Sequence, residues 1–178
     1  MKFKNLKILS IAGSDCSCGA GIQADIKTIQ SLGGYCLNVL TNITAQNSKK
    51  VLKISNISNG LISSQISCLL NDYDIDAIKI GLVTNIKTPQ ILKKYFDKLK
   101  IPIVIDPIFK STTGFKFLSK IDYFKIQKKL MTFSNLIIPS ISEAELLLKS
   151  KIKSEDDMIN ASKQIFQIYN INVLIKGN

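Results

Sequence analysis

The sequence predicts one α/β domain over residues 1–178, with a mostly parallel central sheet flanked by helices. Short apolar segments of strand length alternate with longer amphipathic segments of helical period. This alternation is typical of parallel strands joined by helical crossovers. No internal repeat or low-complexity linker divides the chain, and 178 residues suit a single domain with a substantial core.

Seven strands are predicted where a short apolar run is bounded by polar residues or glycine. They cover residues 7–12, 35–41, 51–54, 77–80, 103–105, 136–138 and 172–175. Six helices are predicted from apolar period, as in the stripe Ile22, Ile26 and Ile29, at residues 20–32, 60–71, 88–99, 121–131, 142–149 and 155–169. Ser154 with Asp157 resembles a capping box at the start of the last helix.

The formal net charge of +11 is compatible with a nucleic-acid partner. However, the chain contains no arginine, and its lysines are scattered without interleaved aromatic residues. We therefore expect solvated lysines and no nucleic-acid partner. A basic nucleic-acid-binding protein is kept as a minor alternative, which a salt-dependent DNA-binding assay would test.

The longest apolar segments are strand-sized, far below the roughly 18 residues that a membrane span needs. The basic start is followed by an apolar run of only about six residues without a clear cleavage site. These features predict a cytoplasmic protein with no membrane partner. Cys16 and Cys18 lack zinc-ligand spacing and the chain has no histidine, so the four cysteines are interpreted as free thiols.

Polar residues and glycine follow nearly every predicted strand. Because ligands bind beyond the carboxyl ends of parallel strands, these residues should gather along one edge of the sheet. The residues that mark the edge are Gly13, Gln46, Gly81, Asp106, Glu143 and Lys176.

A glycine-rich segment at residues 11–25 joins the first strand to the first helix. It contains neither a dinucleotide fingerprint nor a P-loop. Gly13, Gly19 and Gly21 permit close backbone approach, and the helix start is expected to offer free N–H groups. Asp25 lies four residues after Gly21 and faces this loop. On residue type alone, an exposed helical aspartate is favoured over a ligand-binding one.

The ordered motifs AGSD, GAGIQADIKT, TAQN, KIGL, IDP, EAELLL and LIKG resemble the signature of the hydroxymethylpyrimidine/phosphomethylpyrimidine kinases, which belong to the ribokinase-like superfamily. The similarity runs through essentially all 178 residues in order. It implies a ribokinase-like fold and ATP-dependent phosphorylation of 4-amino-5-hydroxymethyl-2-methylpyrimidine, then of its monophosphate, in thiamine diphosphate biosynthesis. ATP is the implied co-substrate and Mg²⁺ the implied cofactor. A homodimer is left open.

The resemblance also implies a set of substrate-binding residues. A carboxamide such as that of Gln46 offers a donor and an acceptor, which match a ring nitrogen and amino group of an aminopyrimidine. A loop glutamine bonded to backbone is an equally good interpretation without the family. The residues implied for the pyrimidine pocket are Gly13, Asp25, Thr44, Gln46, Leu82 and Ile108.

On the nucleotide side, the resemblance implies three charged residues. Asp106 corresponds to an acidic position near magnesium and phosphates, and Glu143 to a glutamate that supports magnesium through water. Lys176 corresponds to a lysine that offsets phosphate charge. Glu143 has a structural alternative, because Ser140 with Glu143, and Ser142 with Glu145, both have capping-box spacing.

Three features depart from the family pattern. Ser140 replaces an asparagine, and Cys16 and Cys18 replace a proline and a glycine in the first loop. The family's glycine-rich anion-hole turn, with its catalytic residue, does not occur before Asn178. We therefore expect the C-terminal portion of the fold and the catalytic residue to lie beyond residue 178. A decayed or truncated homologue without activity is the main alternative.

Overall fold

The computed structural model describes residues 6–177; residues 1–5 and 178 lie outside that part. The seven strands are β1 (Lys7–Asp15), β2 (Tyr35–Gln46), β3 (Val51–Asn56), β4 (Ala77–Ile80), β5 (Ile103–Ile105), β6 (Leu136–Ile137) and β7 (Asn172–Val173). The six helices are α1 (Gly21–Ser31), α2 (Asn59–Asp72), α3 (Thr88–Phe96), α4 (Lys120–Met131), α5 (Ile141–Leu148) and α6 (Glu155–Tyr169).

The strands form one sheet in the order β3-β2-β1-β4-β5-β6-β7. Every neighbouring pair is parallel except β2 with β3, which is antiparallel. The chain first builds outward from β1 to β2 and β3, then returns to place β4 on the other side of β1. A topological switch point therefore lies between β1 and β4, where ligands of open α/β sheets bind.

The two faces of the sheet bury different side chains. Leu9 and Ile11 of β1 join the main apolar core together with Ile62 of α2, Leu92 of α3 and Ile126 of α4. Because side chains alternate along a strand, the intervening Ser10 faces the other side, where it contacts α1. The core thus fills the space between the sheet and its helices, as the alternation of strands and helices along the sequence predicts.

Three strands, β1, β2 and β3, are longer than predicted, and β6 and β7 are shorter. β1 continues to Asp15 with a register shift between Ala12 and Ser14, and β2 continues to Gln46. The prediction placed residues 44–47 after the strand, but β3 folds back against β2 and satisfies backbone groups as far as Gln46. The apolar pattern does not reveal this extension of β2, because the backbone hydrogen bonds to β3 that hold it do not depend on apolar side chains.

The helix ends follow local chemistry. Ser140 starts α5 and Ser154 starts α6, and each forms a complete capping box with the acidic residue three positions later. The second candidate box, Ser142 with Glu145, is wrong, because Ser142 already lies inside α5. Glu145 instead accepts hydrogen bonds from Ile152 N and Lys151 Nζ.

Candidate functional site

A pocket of about 480 Å³ opens at the carboxyl ends of β1, β2, β4 and β5, across the switch point. All nine site residues named from the sequence line it: Gly13, Asp25, Thr44, Gln46, Leu82, Asp106, Ile108, Glu143 and Lys176. Gly81, the remaining strand-end residue, also lines it. The strand ends thus meet in one place. What each residue binds there stays a prediction.

Asp15 closes the first loop and was not singled out from the sequence. Its Oδ1 accepts from the backbone N and hydroxyl of Ser17, and its Oδ2 accepts from Gly19 N (3.1 Å) and Ala20 N (2.9 Å). Burial alone would raise the pKa of Asp15, but these hydrogen bonds outweigh it and lower the pKa. The expectation of free N–H groups before α1 was therefore wrong for Gly19 and Ala20, because a side-chain carboxylate already occupies them.

Glycines 13 and 21 let the loop pack closely against the strands. Gly21 has a φ of +58°, and a Cβ there would collide with the carbonyl oxygen of Gly13. A Cβ on Gly13 would in turn collide with the carboxamide of Asn42, a buried residue that the sequence did not single out. Both glycines are thus required by close approach.

The Asn42 carboxamide has a defined orientation. The hydroxyl of Thr41 donates its proton to Leu82 O (2.6 Å), so it can only accept from Asn42 Nδ2 at 3.1 Å. Asn42 Oδ1 then lies beside Gly13 without a hydrogen-bond partner among the described residues.

Gln46 ends β2 with its backbone held and its carboxamide free. Cys16 Sγ donates to Gln46 O (3.1 Å) and accepts from Gln46 N (3.4 Å). No side-chain hydrogen bond of Gln46 occurs within residues 6–177, so its carboxamide does not bond the backbone in the way the structural alternative requires. Nearby, Thr44 Oγ1 donates its hydroxyl proton to Ser14 O (2.9 Å), so this proton is already engaged within the protein.

Asp25 lies at the wall of the pocket in an ion pair. Its Oδ1 accepts from Lys79 Nζ (2.5 Å) and its Oδ2 from Ser10 Oγ (2.5 Å), and its side chain is only 12% exposed. The interpretation as an exposed helical aspartate was therefore wrong. Burial, together with the negative charge of Asp25, raises the pKa of the neighbouring Cys36 to about 11, with Lys79 opposing.

Lys79 also lines the pocket and was missed as a site residue. The available signal was a lysine inside a buried apolar strand, between Ile78 and Ile80. A loop at residues 109–117 was missed as well; its Lys110, Ser111, Thr112 and Phe117 line the other wall. This loop has neither the helical nor the strand periodicity that a sequence pattern can detect.

Asp106 and Lys176, two of the three charged residues predicted for the nucleotide side, form an ion pair between Oδ1 and Nζ at 2.7 Å. Asp106 follows β5, and Asp106 N donates to Ile80 O of β4. Lys176 follows β7, and its backbone N donates to Pro139 O beside α5. The ends of β4, β5, β6 and β7 therefore contribute to the position of this pair.

Glu143 fills a structural role and lines the pocket at the same time. Its Oε2 accepts from the backbone N and hydroxyl of Ser140, both at 2.8 Å, and its Oε1 accepts from Phe109 N at 3.2 Å. The capping-box interpretation of Ser140 and Glu143 is correct. It does not exclude a ligand, because a carboxylate has further lone pairs to accept from water.

No cluster of three or more histidine, cysteine, aspartate or glutamate side chains within residues 6–177 could hold a metal by itself. Asp106 and Glu143 nevertheless line one pocket. Magnesium is commonly held by one or two carboxylates together with substrate phosphates and water. These two residues therefore fit an ion that arrives with a nucleotide. The four cysteines are free thiols.

No helix in the described part of the chain combines the length and apolarity required to cross a membrane.

Open α/β sheets in general bind ligands at such a switch point, and the resemblance to solved kinase structures identifies this mostly parallel seven-stranded sheet as ribokinase-like. The structure superposes on phosphomethylpyrimidine kinase from Clostridium difficile 630 with a TM-score of 0.87 and 35% identity, over 97% of this chain and 75% of that one. An ADP complex of Bacillus subtilis pyridoxal kinase matches with a TM-score of 0.83 and 29% identity, over 97% and 66% of the two chains. The predicted fold class is confirmed.

The chain belongs to the phosphomethylpyrimidine kinase family, whose pattern matches residues 15–178. It is 34% identical over 170 residues to the hydroxymethylpyrimidine/phosphomethylpyrimidine kinase of Aquifex aeolicus, spanning 95% of this chain and 67% of that protein. It is 33% identical over 172 residues to a probable chloroplastic thiamine biosynthetic bifunctional enzyme of rice, covering 96% of this chain and 31% of that protein. The family resemblance predicted from the motifs is confirmed.

Proposed function

We propose that the protein phosphorylates 4-amino-5-hydroxymethyl-2-methylpyrimidine and its monophosphate with ATP, in thiamine diphosphate biosynthesis. The observation that carries this proposal is the free carboxamide of Gln46 in the same pocket as the Asp106–Lys176 ion pair. One part of the pocket thus offers a matched donor and acceptor to a heterocycle, and another offers charges to phosphates. The family membership and the kinase relatives support the same activity.

In the pyrimidine half, Gln46 would donate to a ring nitrogen and accept from the 4-amino group. Its backbone is held by Cys16, so only the side chain must be ordered when the ligand binds. Leu82 and Ile108 would supply apolar contacts to the ring, and Gly13 lines the same pocket. Asp25 would accept a hydrogen bond from an amino or hydroxyl group of the substrate.

In the phosphate half, the positive charge of Lys176 would offset phosphate charge. Its ammonium group carries three donors and uses one for Asp106, so two remain for phosphate oxygens. Asp106 and, through water, Glu143 would hold Mg²⁺, which supplies charge neutralisation on the phosphates when bound. Transfer would break the bond between the γ-phosphorus and the bridging oxygen of ATP, join that phosphorus to the hydroxymethyl oxygen, and release ADP, with the hydroxyl proton passing to solvent. The contribution of these residues is to position groups and stabilise charge.

The pyrimidine assignment is tested by calorimetric titration of the hydroxymethylpyrimidine into the wild-type protein and Gln46→Ala. Leaving ring polar groups unpaired should weaken binding by about 1–3 kcal/mol. Gln30→Ala removes an exposed glutamine of α1 and should bind as the wild type does. Unchanged affinity in Gln46→Ala would contradict the assignment.

A second titration tests the kinase proposal, because direct transfer from ATP to the pyrimidine requires both substrates to be bound at once. Mg²⁺–ATP is titrated into protein that is already saturated with the pyrimidine. We expect both to bind together. Competition between them, or failure of either to bind, would contradict the proposal.

Several expectations stay predictions under this proposal. They are one domain over residues 1–178, a cytoplasmic location, no nucleic-acid partner and a homodimer as an open assembly. Size-exclusion chromatography with light scattering measures the assembly. DNA binding that weakens steeply with salt would favour the nucleic-acid alternative instead.

A further inference from the structure

Ser10, Asp25 and Lys79 form one connected polar network beneath the pocket. Ser10 is fully buried, while the side chains of Asp25 and Lys79 are 12% and 28% exposed. Each oxygen of the Asp25 carboxylate accepts one hydrogen bond at 2.5 Å, from Ser10 on one side and Lys79 on the other. The carboxylate is thus held at both oxygens.

The register of the sheet produces this network. Ser10 of β1 and Lys79 of β4 are directly paired across the two parallel strands, so their side chains emerge on the same face. α1 covers that face and brings Asp25 between them. Since Lys79 lies inside a strand, its backbone is fixed, unlike that of a surface lysine in a loop.

This arrangement is a poor way to gain stability. Partly buried ion pairs lose hydration, and apolar residues of similar volume often serve the fold equally well or better. Lys79 is flanked by the buried Ile78 and Ile80, and a third apolar side chain would suit a strand covered by a helix. A lysine instead lies where Asp25 meets the pocket, which favours a role toward the ligand.

The charge of the network matters because the two proposed substrates differ in charge. Asp25 paired with Lys79 is close to neutral overall, which suits an uncharged aminopyrimidine. A carboxylate without the lysine would place a bare negative charge in a pocket that must also accept a phosphate monoester. Repulsion of a dianion by that charge would exceed any effect on the neutral alcohol.

We propose that Lys79 is a positioning residue that fixes the Asp25 carboxylate and neutralises it, so that the pocket accepts the pyrimidine monophosphate as well as the alcohol. This inference rests on the proposed function. Asp25 keeps lone pairs for a hydrogen bond from the substrate, while Lys79 acts through Asp25. The ratio of the two substrates' affinities is then the property that Lys79 sets.

The test is calorimetric titration of the hydroxymethylpyrimidine and of its monophosphate into wild type, Lys79→Met, Lys79→Arg and Lys79→Met/Asp25→Asn. We expect Lys79→Met to weaken monophosphate binding about tenfold more than alcohol binding. Lys79→Arg should recover most of the wild-type ratio, because the positive charge is kept. The double variant should also recover the ratio while binding both ligands weakly, since its pocket has no bare charge.

Lys151→Met is the matched control, because it removes one lysine from an ion pair with Glu145 whose lysine side chain is 77% exposed. Its affinity ratio should equal that of the wild type. If Lys79→Met fails to fold, Lys79→Gln takes its place, because it keeps a hydrogen-bond donor but removes the charge, and it should change the affinity ratio in the same direction. An unchanged ratio in Lys79→Met, or an altered ratio in the folded double variant, would overturn the inference. Failure of the wild type to bind either ligand would instead overturn the proposed function.

Discussion

Three side-chain atoms in the described part of the chain are buried without a hydrogen-bond partner: Asn42 Oδ1, the Tyr123 hydroxyl and Gln127 Oε1. A buried polar atom left unpaired typically costs about 1–3 kcal/mol. Asn42 lies at the pocket, where Gly13 leaves room for its carboxamide. Tyr123 lies in the apolar core, with Phe109 and Phe124 edge-on to its ring at centroid distances of 5.2 and 5.8 Å.

Tyr123→Phe should therefore keep or raise stability. Burial, followed by the negative charge of Glu143, raises the pKa of Tyr123 well above its usual range. The hydroxyl is therefore neutral, and the substitution removes it without changing the charge of the protein. We expect the free energy of unfolding in urea to rise by up to about 1 kcal/mol. Tyr95→Phe is the control, since the Tyr95 hydroxyl bonds Ser63 at 2.7 Å and its removal should lower stability. A Tyr123→Phe protein that is clearly less stable would show that the hydroxyl has a partner.

Among the elements, helix starts differ in how their N–H groups are satisfied. α5 and α6 use capping boxes, in which Ser140 and Ser154 pair with the acidic residue three positions on. Ala20, the N-cap of α1, makes no such side-chain bond. Asp15 instead bonds across the loop to Gly19 N and Ala20 N. The first loop is thus ordered by one carboxylate, which makes its order sensitive to acid.

The stability of this loop should fall in acid. The pKa of Asp15 is lower in the folded protein than its usual value of about 3.9, so the unfolded chain binds the proton first. Its contribution is full above roughly pH 5 and is lost as the pH falls through the folded pKa. Urea unfolding of wild type and Asp15→Asn between about pH 6 and pH 2 measures it.

Hydrogen bonds also lower the pKa of Glu145, mainly that from Ile152 N, and of Asp157, mainly that from Lys153 N. The comparison with Asp15→Asn therefore isolates Asp15. The variant should be less stable near neutral pH and show a shallower loss in acid. Parallel pH curves for the two proteins would contradict the role assigned to Asp15.

Across the whole molecule, we expect the protection of backbone amides from hydrogen exchange to depend on the position of each strand in the sheet. β1 is paired on both sides, by β2 and β4, and its Leu9 and Ile11 are fully buried. β7 has two residues and is paired only with β6 within the described chain, and its Asn172 is exposed. Core strands open only through global unfolding, whereas short edge elements open locally.

Native-state hydrogen exchange should reproduce this gradient. Amides of β1 and β4, such as Ile11 and Ile80, should exchange slowest, with free energies near that of global unfolding. Amides of β7 should exchange much faster. Equal protection of β7 and β1 would indicate that β7 has a further partner in solution.

The sequence by itself determined the order of strands and helices, the α/β class and the strand-end residues that gather in the pocket. These follow from local signals: apolar period sets each element, and parallel strands bring the residues after Ile11, Ile80 and Ile105 to one edge. The capping boxes at Ser140 and Ser154 were equally local, since each spans three residues. The motifs added the family, which the comparisons confirm.

Only the tertiary structure decided which of these side chains are already engaged. Lys79 contacts Asp25 across 54 residues of sequence because β4 pairs with β1. The periodicity of either segment alone does not predict which residues of the two strands are paired. β2 reaches Gln46 because β3 pairs with it, and Asp15 occupies N–H groups that a helix start otherwise leaves free. Local patterns fix where a residue stands along its own element. Partners are fixed by which distant backbone packs beside that element, and this depends on the whole fold.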